Sequence, residues 1–375
     1  MDVRSRIQRD IFEETLRLFD KAAAEGLAES GKAADDMFLD EIRRNNAVFS
    51  AFRTHRMQND MASRLLDGDG NLKSFDRWVR DVRGMASHYC GSWLRTEYDT
   101  AVIRAHRAAD WRHFEDEADV FPNVRWMPTT SPNQDPLHRQ YWEARLTLPV
   151  NHPFWNDHRP GDRWNCKCSL MQTDEPADDS VIHRFYPVKA QPGLDNNPAT
   201  DGKLFSDSHP YYTKAYPGAE KAADSMVLKK QIEEIIVQVK ETFPTGQAVK
   251  IGNLDRSVLR FIEKRGITPI SDEIFVTDHR IKHAIRENKT NKGKAVNPEH
   301  LADALSGLGR MEVYWDEKQK GLWYVETVDG TTNKYVFRIN EKIKADGQRI
   351  TVNSFVTAGI IDKRNLNMFE IIKIK

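Results

Sequence analysis

Residues 121–171 read FPNVRWMPTTSPNQDPLHRQYWEARLTLPVNHPFWNDHRPGDRWNCKCSLM, and this stretch decides how the chain is organised. Prolines recur along it, and each one lacks the backbone N–H that the interior of a helix requires. A long helix is therefore excluded. The stretch is also rich in Trp, His, Asn and Arg, so we expect a compact, loop-rich unit with short strands over residues 119–217. Loops of this length inside a domain are usually functional or fixed by a specific interaction.

The preceding residues, 1–118, have the opposite character. They contain no proline, and apolar residues recur at helical spacing, which predicts a mostly helical region. The clearest helix is SWLRTEYDTAVIRAHRAADWRHFE, which starts at Ser92. We expect Leu94, Val102 and Ala109 on its packed face, with Arg95 and Arg104 directed elsewhere. Small residues such as Ala105 permit close packing of helices.

The residues after 217 predict a helical spacer over 218–245 and a separate domain over 246–375. Short helices come first, including DHRIKHAIRENK, for which Asp278 is the expected N-cap. Strand patterns follow, and Asp329-Gly330 is a hairpin turn signal between two of them. Helices followed by a run of four or five strands indicate an antiparallel sheet packed against helices. The expected fold class of the chain is therefore α+β.

Composition excludes several classes of function. The chain has 375 residues, with 56 Lys and Arg against 56 Asp and Glu, so any nucleic-acid binding must use a local basic patch. Three cysteines do not form a disulfide framework. The first residues lack the apolar core of a secretory signal, and no apolar run is long enough to span a membrane. We therefore expect synthesis in a cytoplasm. The motifs of nucleotide hydrolysis, dinucleotide binding and serine hydrolases do not occur.

The central part of the chain resembles the phage Mu F-like head-morphogenesis family. The helix with Trp93, Thr96, Glu97 and Tyr98 leads into a block with Arg125 and Asp135-Pro136-Leu137-His138, and the block closes with the run Pro160-Gly161-Asp162-Arg163-Trp164-Asn165-Cys166-Lys167-Cys168. The resemblance covers about residues 80–215, and Trp-Asn-Cys-Lys-Cys is its specific part. The chain departs from the family pattern in having Lys167 for Arg and Arg159 before Pro160 for a second proline. It also lacks a glycine that commonly follows the His.

This resemblance implies a minor head protein of a tailed phage or prophage. Such proteins lie inside the shell near the portal, and their C-terminal regions vary. The implied partners are the portal and the major capsid protein or scaffold. The implied locations are the virion and the cytoplasm of a bacterial host.

The same block suggests a zinc site. In an extended segment the sulfurs of Cys166 and Cys168 point to one face, and His138, His152 and His158 are near in sequence. Two thiolates and two imidazoles suit tetrahedral zinc, and we take Cys166, Cys168, His138 and His158 as the candidate ligands. The alternative is that the cysteines are small buried apolar residues and the histidines are hydrogen-bonded loop residues.

The last part of the chain, about residues 267–375, resembles the nuclease domains found at the C-termini of phage head proteins. These are grouped with barnase, EndoU, the tRNA-cleaving colicins and RelE. The resemblance rests on Ile-Thr-Pro-Ile-Ser-Asp, on Asp278-His279-x-x-Lys282-His283-x-x-Arg286 and on Asn297-Pro298 before a helix and strands. It implies a metal-independent endoribonuclease that acts as a toxin, with RNA as substrate and an immunity protein as a further partner.

The residues themselves allow this chemistry. RNA cleavage without metal needs a base, an acid and cations beside the phosphate. Helical spacing places the candidate catalytic residues of one helix on a single face or its margins. These are His279, Lys282, His283 and Arg286, with Thr351 and Ser354 on the predicted sheet. The candidate RNA-binding residues are Tyr324, Arg338 and Asn353. The alternative for each is a solvated helix face or a residue of the sheet core.

Three hypotheses follow. The first is a minor head protein that carries a ribonuclease-like effector domain. The second is a purely structural head protein whose C-terminal domain binds portal, scaffold or genome without catalysis. The third, a zinc-dependent enzyme built on Cys166 and Cys168, is disfavoured because no HExxH or comparable spacing occurs.

Overall fold

The computed structural model describes residues 2–129, 131–132, 134–186, 189–286, 291, 293–345 and 347–375. The chain is α+β and divides into two compact units, Met1–Asp224 and Ser225–Lys375. Each unit has its own hydrophobic core. Within the described part of the chain, no helix is long and apolar enough to cross a lipid bilayer.

Four long helices build the first part of the first unit. They are α1 (Arg9–Ser30), α2 (Asp36–Ala62), α3 (Phe75–Cys90) and α4 (Ser92–Asp116). Gly31, at φ 67°, ends α1, and the Asp35 carboxylate caps α2 by accepting from the Phe38 amide at 2.8 Å. Helices α1 and α4 pack closely because Gly26 has no side chain: a Cβ there would lie 2.1 Å from the Val102 carbonyl oxygen.

The central part of this unit is short strands and short helices, as the prolines predict. The elements are β1 (Asn123–Met127), α5 (Pro136–Glu143), β2 (Thr147–Pro149), α6 (Phe154–Asp157), β3 (Ser169–Thr173), a 3-10 turn (Ile182–Arg184), α7 (Pro198–Asp201) and α8 (Pro210–Thr213). The strands form an antiparallel sheet in the order β2-β1-β3. Its buried side chains share one core with the long helices.

Helix α9 (Ala219–Glu241) covers most of the segment expected as a spacer. From Ser225 onward it belongs to the second unit, where Ile232, Ile236 and Val239 are buried in the core. This part of α9 is therefore a core helix of the second unit rather than a free connection.

The second unit places helices against a seven-stranded sheet. Its further elements are β4 (Ala248–Asn253), α10 (Arg256–Glu263), β5 (Glu273–Thr277), α11 (Asp278–Ala284), α12 (Pro298–Leu305), a 3-10 turn (Leu308–Arg310), β6 (Glu312–Asp316), β7 (Gly321–Val328), β8 (Thr331–Ala345), β9 (Gln348–Ile361), a 3-10 turn (Lys363–Asn367) and β10 (Ile371–Lys373). The strand order is β10-β6-β7-β8-β9-β5-β4. Residues 287–289 of the predicted basic helix lie outside the described residues.

Two expectations for this unit need correction. The sheet is mixed rather than antiparallel, because β5 runs parallel to β9, with Ile274 opposite Asn353. The N-cap of α11 is Thr277, whose hydroxyl accepts from the Arg280 amide, and not Asp278. The hairpin prediction is confirmed: Asp329 and Gly330 join β7 to β8 with φ of 49° and 76°, the left-handed pair that this turn requires.

Candidate functional site

The first unit brings three of the four candidate zinc ligands together. The Nδ1 atom of His138 lies 3.3 Å from Cys166 Sγ and 3.8 Å from Cys168 Sγ. All three ligand atoms lie within 4.8 Å of one another, and all three side chains are buried. His158, the fourth candidate, is not in this group. Its Nδ1 atom lies 4.0 Å from the Asp162 carboxylate, so the prediction is corrected at that position.

The local structure of two segments places these three side chains together. His138 stands in the first turn of α5, which Asp135 caps and Pro136 begins. The two cysteines come from the segment that leads into β3. Asn165 adopts a left-handed φ of 58°, and the Cys166 amide donates to the Arg163 carbonyl at 3.1 Å. This tight turn directs Cys166 and, two residues later, Cys168 toward His138.

Asp162 completes the group from the other side of the imidazole. Its Oδ1 atom lies 2.8 Å from His138 Nε2, and both side chains are buried. Burial alone would lower the pKa of His138, but the contacts with Asp162 and Cys166 outweigh it and raise the pKa to about 10. The group therefore holds a positive imidazolium between a carboxylate and a sulfur atom.

The two thiols are affected in opposite directions. Hydrogen bonds with Cys168 and His138 hold the pKa of Cys166 well below its usual range, despite burial. The pKa of Cys168 is raised, because its thiol is hydrogen-bonded to that thiolate and is buried. A divalent cation bound here would favour the deprotonated form of both thiols, because thiolate is the form that ligates a metal.

Helix α4 holds the backbone of the cysteine segment. Thr100, Arg104 and Arg107 lie on one face of the helix, at positions i, i+4 and i+7. Thr100 Oγ1 accepts from the Asn165 amide at 3.2 Å, while Arg107 Nε donates to the Cys168 carbonyl at 3.1 Å. Arg104 donates at 2.6 Å to the Gly161 carbonyl. Three points of the segment are thus fixed from outside it.

Two of the ligand separations are close to those around a tetrahedral metal ion, and these residues would supply three of its four ligands. Zinc with Zn–S bonds of about 2.3 Å and a Zn–N bond of about 2.0–2.1 Å places the nitrogen about 3.6 Å from each sulfur. The observed separations of 3.3 and 3.8 Å lie on either side of that value. The group could therefore hold a metal ion with little movement of its side chains.

The same residues also have the order of a cysteine nucleophile, its base and an orienting carboxylate. Burial argues against this use. His138 is 0% exposed and Cys166 is 6% exposed, so a substrate has no path to the sulfur in this conformation. A second sulfur beside the same nitrogen is also unnecessary for a nucleophile, whereas it is a natural metal ligand.

In the second unit the predicted catalytic helix residues separate. His279 and Arg286 are exposed at the surface. Lys282 Nζ donates to the Thr242 carbonyl at 2.9 Å and lies 5.0 Å from the centre of the Phe243 ring. His283 Nδ1 lies 3.5 Å from the hydroxyl of Thr357 on β9. His283 therefore contacts a hydroxyl group of the sheet.

The predicted residues of β9 have structural contacts. Asn353 donates from Nδ2 to the Ser271 and Glu273 carbonyls at 2.7 and 2.9 Å, which ties β9 to the start of β5. Ser354 is 0% exposed and donates to the Phe355 carbonyl at 3.2 Å. Thr351 is half-buried opposite Lys342. Asn353 and Ser354 are therefore corrected from site residues to residues that hold the sheet together.

Of the predicted RNA-binding residues, Tyr324 is buried and Arg338 is exposed. Tyr324 is 2% exposed and packs in the core with its ring 4.9 Å from that of Phe337. A ring enclosed in this way has no face to offer a base, so this expectation was wrong. Arg338 is exposed on β8, where a phosphate can reach it.

Sequence reasoning missed three residues that matter here. Asp162 was visible within the closing run of the central block, but acidic residues in loops are common. Arg104 was placed away from the packed face of its helix, although it is buried. Thr357 carried no signal, because its contact with His283 depends on how α11 packs on β9.

Comparison of the chain with protein-family models, with curated proteins and with solved structures finds no significant match.

Proposed function

We propose that this chain is a minor head protein of a tailed phage, in which a structural zinc ion bound by His138, Cys166 and Cys168 holds the central unit together. The observation that carries the proposal is the convergence of these three residues. They belong to the motifs through which the sequence resembles the Mu F-like family, and they lie in one buried group with separations suited to zinc.

The proposed role of the metal is structural. The central unit is built from short strands and from helices of one or two turns. A metal that joins α5 to the segment before β3 links parts of the chain about thirty residues apart, as the His138–Cys168 separation in sequence shows. Small loop-rich units commonly depend on such a link.

The metal content of the purified full-length chain tests the zinc. We expect one zinc ion per chain by elemental mass spectrometry, and its loss in Cys166→Ser and Cys168→Ser. Cys90→Ser is the matched control, because Cys90 is exposed and outside the group. A folded wild-type chain that binds no zinc when refolded with the metal present would contradict the proposal.

The head role is tested on particles. We expect the chain in nuclease-treated, gradient-purified phage heads from a host that carries its gene, together with portal protein and the major capsid protein or scaffold. Antibody should reach it only after the shell is opened. Heads of normal composition that lack the chain would contradict the assignment to the virion.

A second activity is proposed for the C-terminal unit: metal-independent cleavage of RNA, with His283 as base or acid. Its support is the 3.5 Å separation between the Thr357 hydroxyl and Nδ1 of His283, three residues before the exposed Arg286. An immunity protein would be required in a host that makes such an enzyme. The alternative is a binding domain for portal, scaffold or genome without catalysis.

RNA cleavage by the full-length chain distinguishes these alternatives. On total bacterial RNA without added metal, the ribonuclease hypothesis predicts cleavage that His283→Ala abolishes and Thr357→Ala reduces. His300→Ala, on α12, is the control. Cleavage that persists in His283→Ala would reject the assigned residue, and a folded wild-type chain without cleavage would favour the binding domain.

A further inference from the structure

We infer that Asp162 is the positioning residue of the proposed zinc site: it fixes the proton of His138 on Nε2 and so presents Nδ1 to the metal. The inference rests on the zinc site proposed above. It goes beyond that proposal by assigning a role to a residue that is not a ligand, and by predicting which nitrogen of the imidazole binds.

The geometry on the two sides of the imidazole carries the argument. Asp162 Oδ1 lies 2.8 Å from Nε2, an ion-pair contact between two buried groups that lacks the angle of a hydrogen bond in this structure. A carboxylate can accept a hydrogen from Nε2 but has none to donate. In the metal-bound form, in which one ring nitrogen gives up its hydrogen, this contact favours the form that keeps the hydrogen on Nε2. The lone pair is left on Nδ1, which is the nitrogen that faces both sulfurs, at 3.3 and 3.8 Å. Histidine ligands in metal sites commonly donate their other N–H to a carboxylate in this way.

The carboxylate itself is held in place. Its second oxygen accepts from the Arg159 amide at 3.4 Å, and the Asp162 carbonyl accepts from the Gln191 amide at 2.9 Å. The preceding Gly161 has a left-handed φ of 94°, and a Cβ there would lie 3.3 Å from Cγ of Arg104. Asp162 is therefore fixed by hydrogen bonds at its side chain and backbone, and the neighbouring turn leaves little room for it to shift.

Two substitutions of Asp162 distinguish the effect of its charge from the effect of its shape. Asp162→Ala removes the acceptor, and we expect zinc affinity to fall about 10–100-fold in competition with a chromophoric chelator. Asp162→Asn keeps the shape and an acceptor oxygen but not the charge, so a smaller loss is expected. Asp157→Asn is the control, because Asp157 is an exposed carboxylate in the same segment. If Asp162→Ala does not fold, the zinc affinity of Asp162→Asn is compared with that of this control instead. The inference then predicts weaker zinc binding by Asp162→Asn.

Two spectroscopic readouts distinguish positioning from ligation and from general destabilisation. The cobalt-loaded variants should keep the sulfur-to-cobalt charge-transfer band, because both thiolates remain. In ¹⁵N-histidine NMR of the zinc-loaded chain, the wild type should show His138 protonated at Nε2 and metal-bound at Nδ1. Asp162→Ala should show a mixture of tautomers or binding through Nε2. A merely structural effect would lower stability without altering the tautomer.

The outcomes are distinct. Wild-type affinity and an unchanged tautomer in both variants, in a chain that binds zinc, would overturn the inference and leave the zinc site standing. Loss of the charge-transfer band in Asp162→Asn would overturn it as well, because the thiolates themselves would then have moved. A wild-type chain that binds no zinc would reject the zinc site and this inference together.

Discussion

At the scale of the residue, Arg53 and Glu97 form a buried ion pair in the helical part of the first unit. Arg53 Nε lies 2.7 Å from the Glu97 carboxylate, and both side chains are nearly inaccessible. Tyr211 donates to the other carboxylate oxygen at 2.6 Å. Burial would lower the pKa of Arg53, but the charge of Glu97 raises it above its usual value. Glu97 belongs to the Trp-x-x-Thr-Glu-Tyr run of the sequence, so this contact gives that residue a structural role.

Glu97→Gln should therefore be strongly destabilising. It leaves the Arg53 guanidinium buried without its countercharge, which costs about 3–5 kcal/mol. Urea unfolding of the first unit measures the loss. Arg53→Met combined with Glu97→Leu should be less harmful than Glu97→Gln alone, because it removes both charges. Asp99→Asn on the same helix breaks an exposed ion pair with Arg95 and should change little. Equal unfolding midpoints for Glu97→Gln and Asp99→Asn would contradict this account.

The surroundings of Asp278 predict that the stability of the second unit depends on pH. Burial would raise the pKa of its carboxyl, but amide donors of Gly246, Thr245 and His279 lower it below the usual value. A carboxyl with a lowered pKa in the folded state stabilises the fold above its unfolded pKa, and this stability is lost as the pH falls through the folded pKa. We expect Asp278→Asn to be destabilising at neutral pH, and the difference from wild type to narrow from about pH 5 to about pH 3. Calorimetry across this range measures it.

The control for this prediction is Asp329→Asn, in the turn between β7 and β8. Asparagine suits the left-handed conformation there, so the substitution should keep the turn and leave the stability at neutral pH unchanged. A gap between wild type and Asp278→Asn that stays constant down to pH 3 would show that the carboxylate charge is not what the amides stabilise.

Residue types in the sequence predicted part of the candidate site. Cys166, Cys168 and His138 were chosen together because thiolate and imidazole are common ligands of zinc. His158 was chosen on the same grounds and was wrong, because nearness in a proline-rich loop does not fix the direction of a side chain. The prediction of Asn353 and Ser354 as site residues was wrong for another reason. Polar side chains on a strand can bind a ligand or form hydrogen bonds to neighbouring backbone, and the sequence alone does not distinguish these two roles.

At the scale of the element, helix α4 joins the helical bundle to the cysteine segment. Arg104 is 1% exposed, and its guanidinium donates to carbonyls at Leu204, Gly161, Leu194 and Asn196. Burial lowers its pKa to about 9, which leaves it charged at neutral pH. A single side chain thus connects four points of loop backbone to one helix. These hydrogen bonds hold the loops of the central unit in place against α4.

Arg104→Met should show how much these hydrogen bonds stabilise the first unit. The substitution fills much of the same volume but leaves several buried carbonyl groups without donors, each costing about 1–3 kcal/mol. We expect the first unit to lose most of its stability and the zinc affinity of the chain to fall. Arg95→Met, on the exposed side of the same helix, is the control. Retention of both stability and zinc affinity in Arg104→Met would show that the loops are held by other means.

The sheet of the second unit shows why strands were only partly predictable. The strands β6 to β9 carry long apolar patterns, and the Asp329-Gly330 turn marks their pairing. β4 was missed because it is short and interrupted: its register with β5 shifts between Lys250 and Gly252. The parallel pairing of β5 with β9 joins residues about eighty positions apart, and no local pattern reports such a contact.

At the scale of the whole molecule, the chain consists of two units with separate cores, and the candidate metal group belongs to the first alone. This division makes the metal's contribution measurable inside the intact protein. A ligand that binds only the folded state stabilises it by RT ln(1 + [L]/Kd), which is about 4 kcal/mol at a free concentration of 1,000 Kd. The stabilisation should appear in the unit that holds the ligand.

Calorimetry of the full-length chain with and without zinc therefore tests the organisation as a whole. Two transitions are expected, and variants already described identify them: Glu97→Gln moves the transition of the first unit, and Asp278→Asn moves that of the second. Removing zinc with a chelator should lower the first transition and leave the second unchanged, because His138, Cys166 and Cys168 all lie in the first unit. Cys166→Ser should reproduce the lowered transition and respond no further to the chelator. A second transition that falls with the first would instead show that the metal stabilises both units, through a dependence of one core on the other.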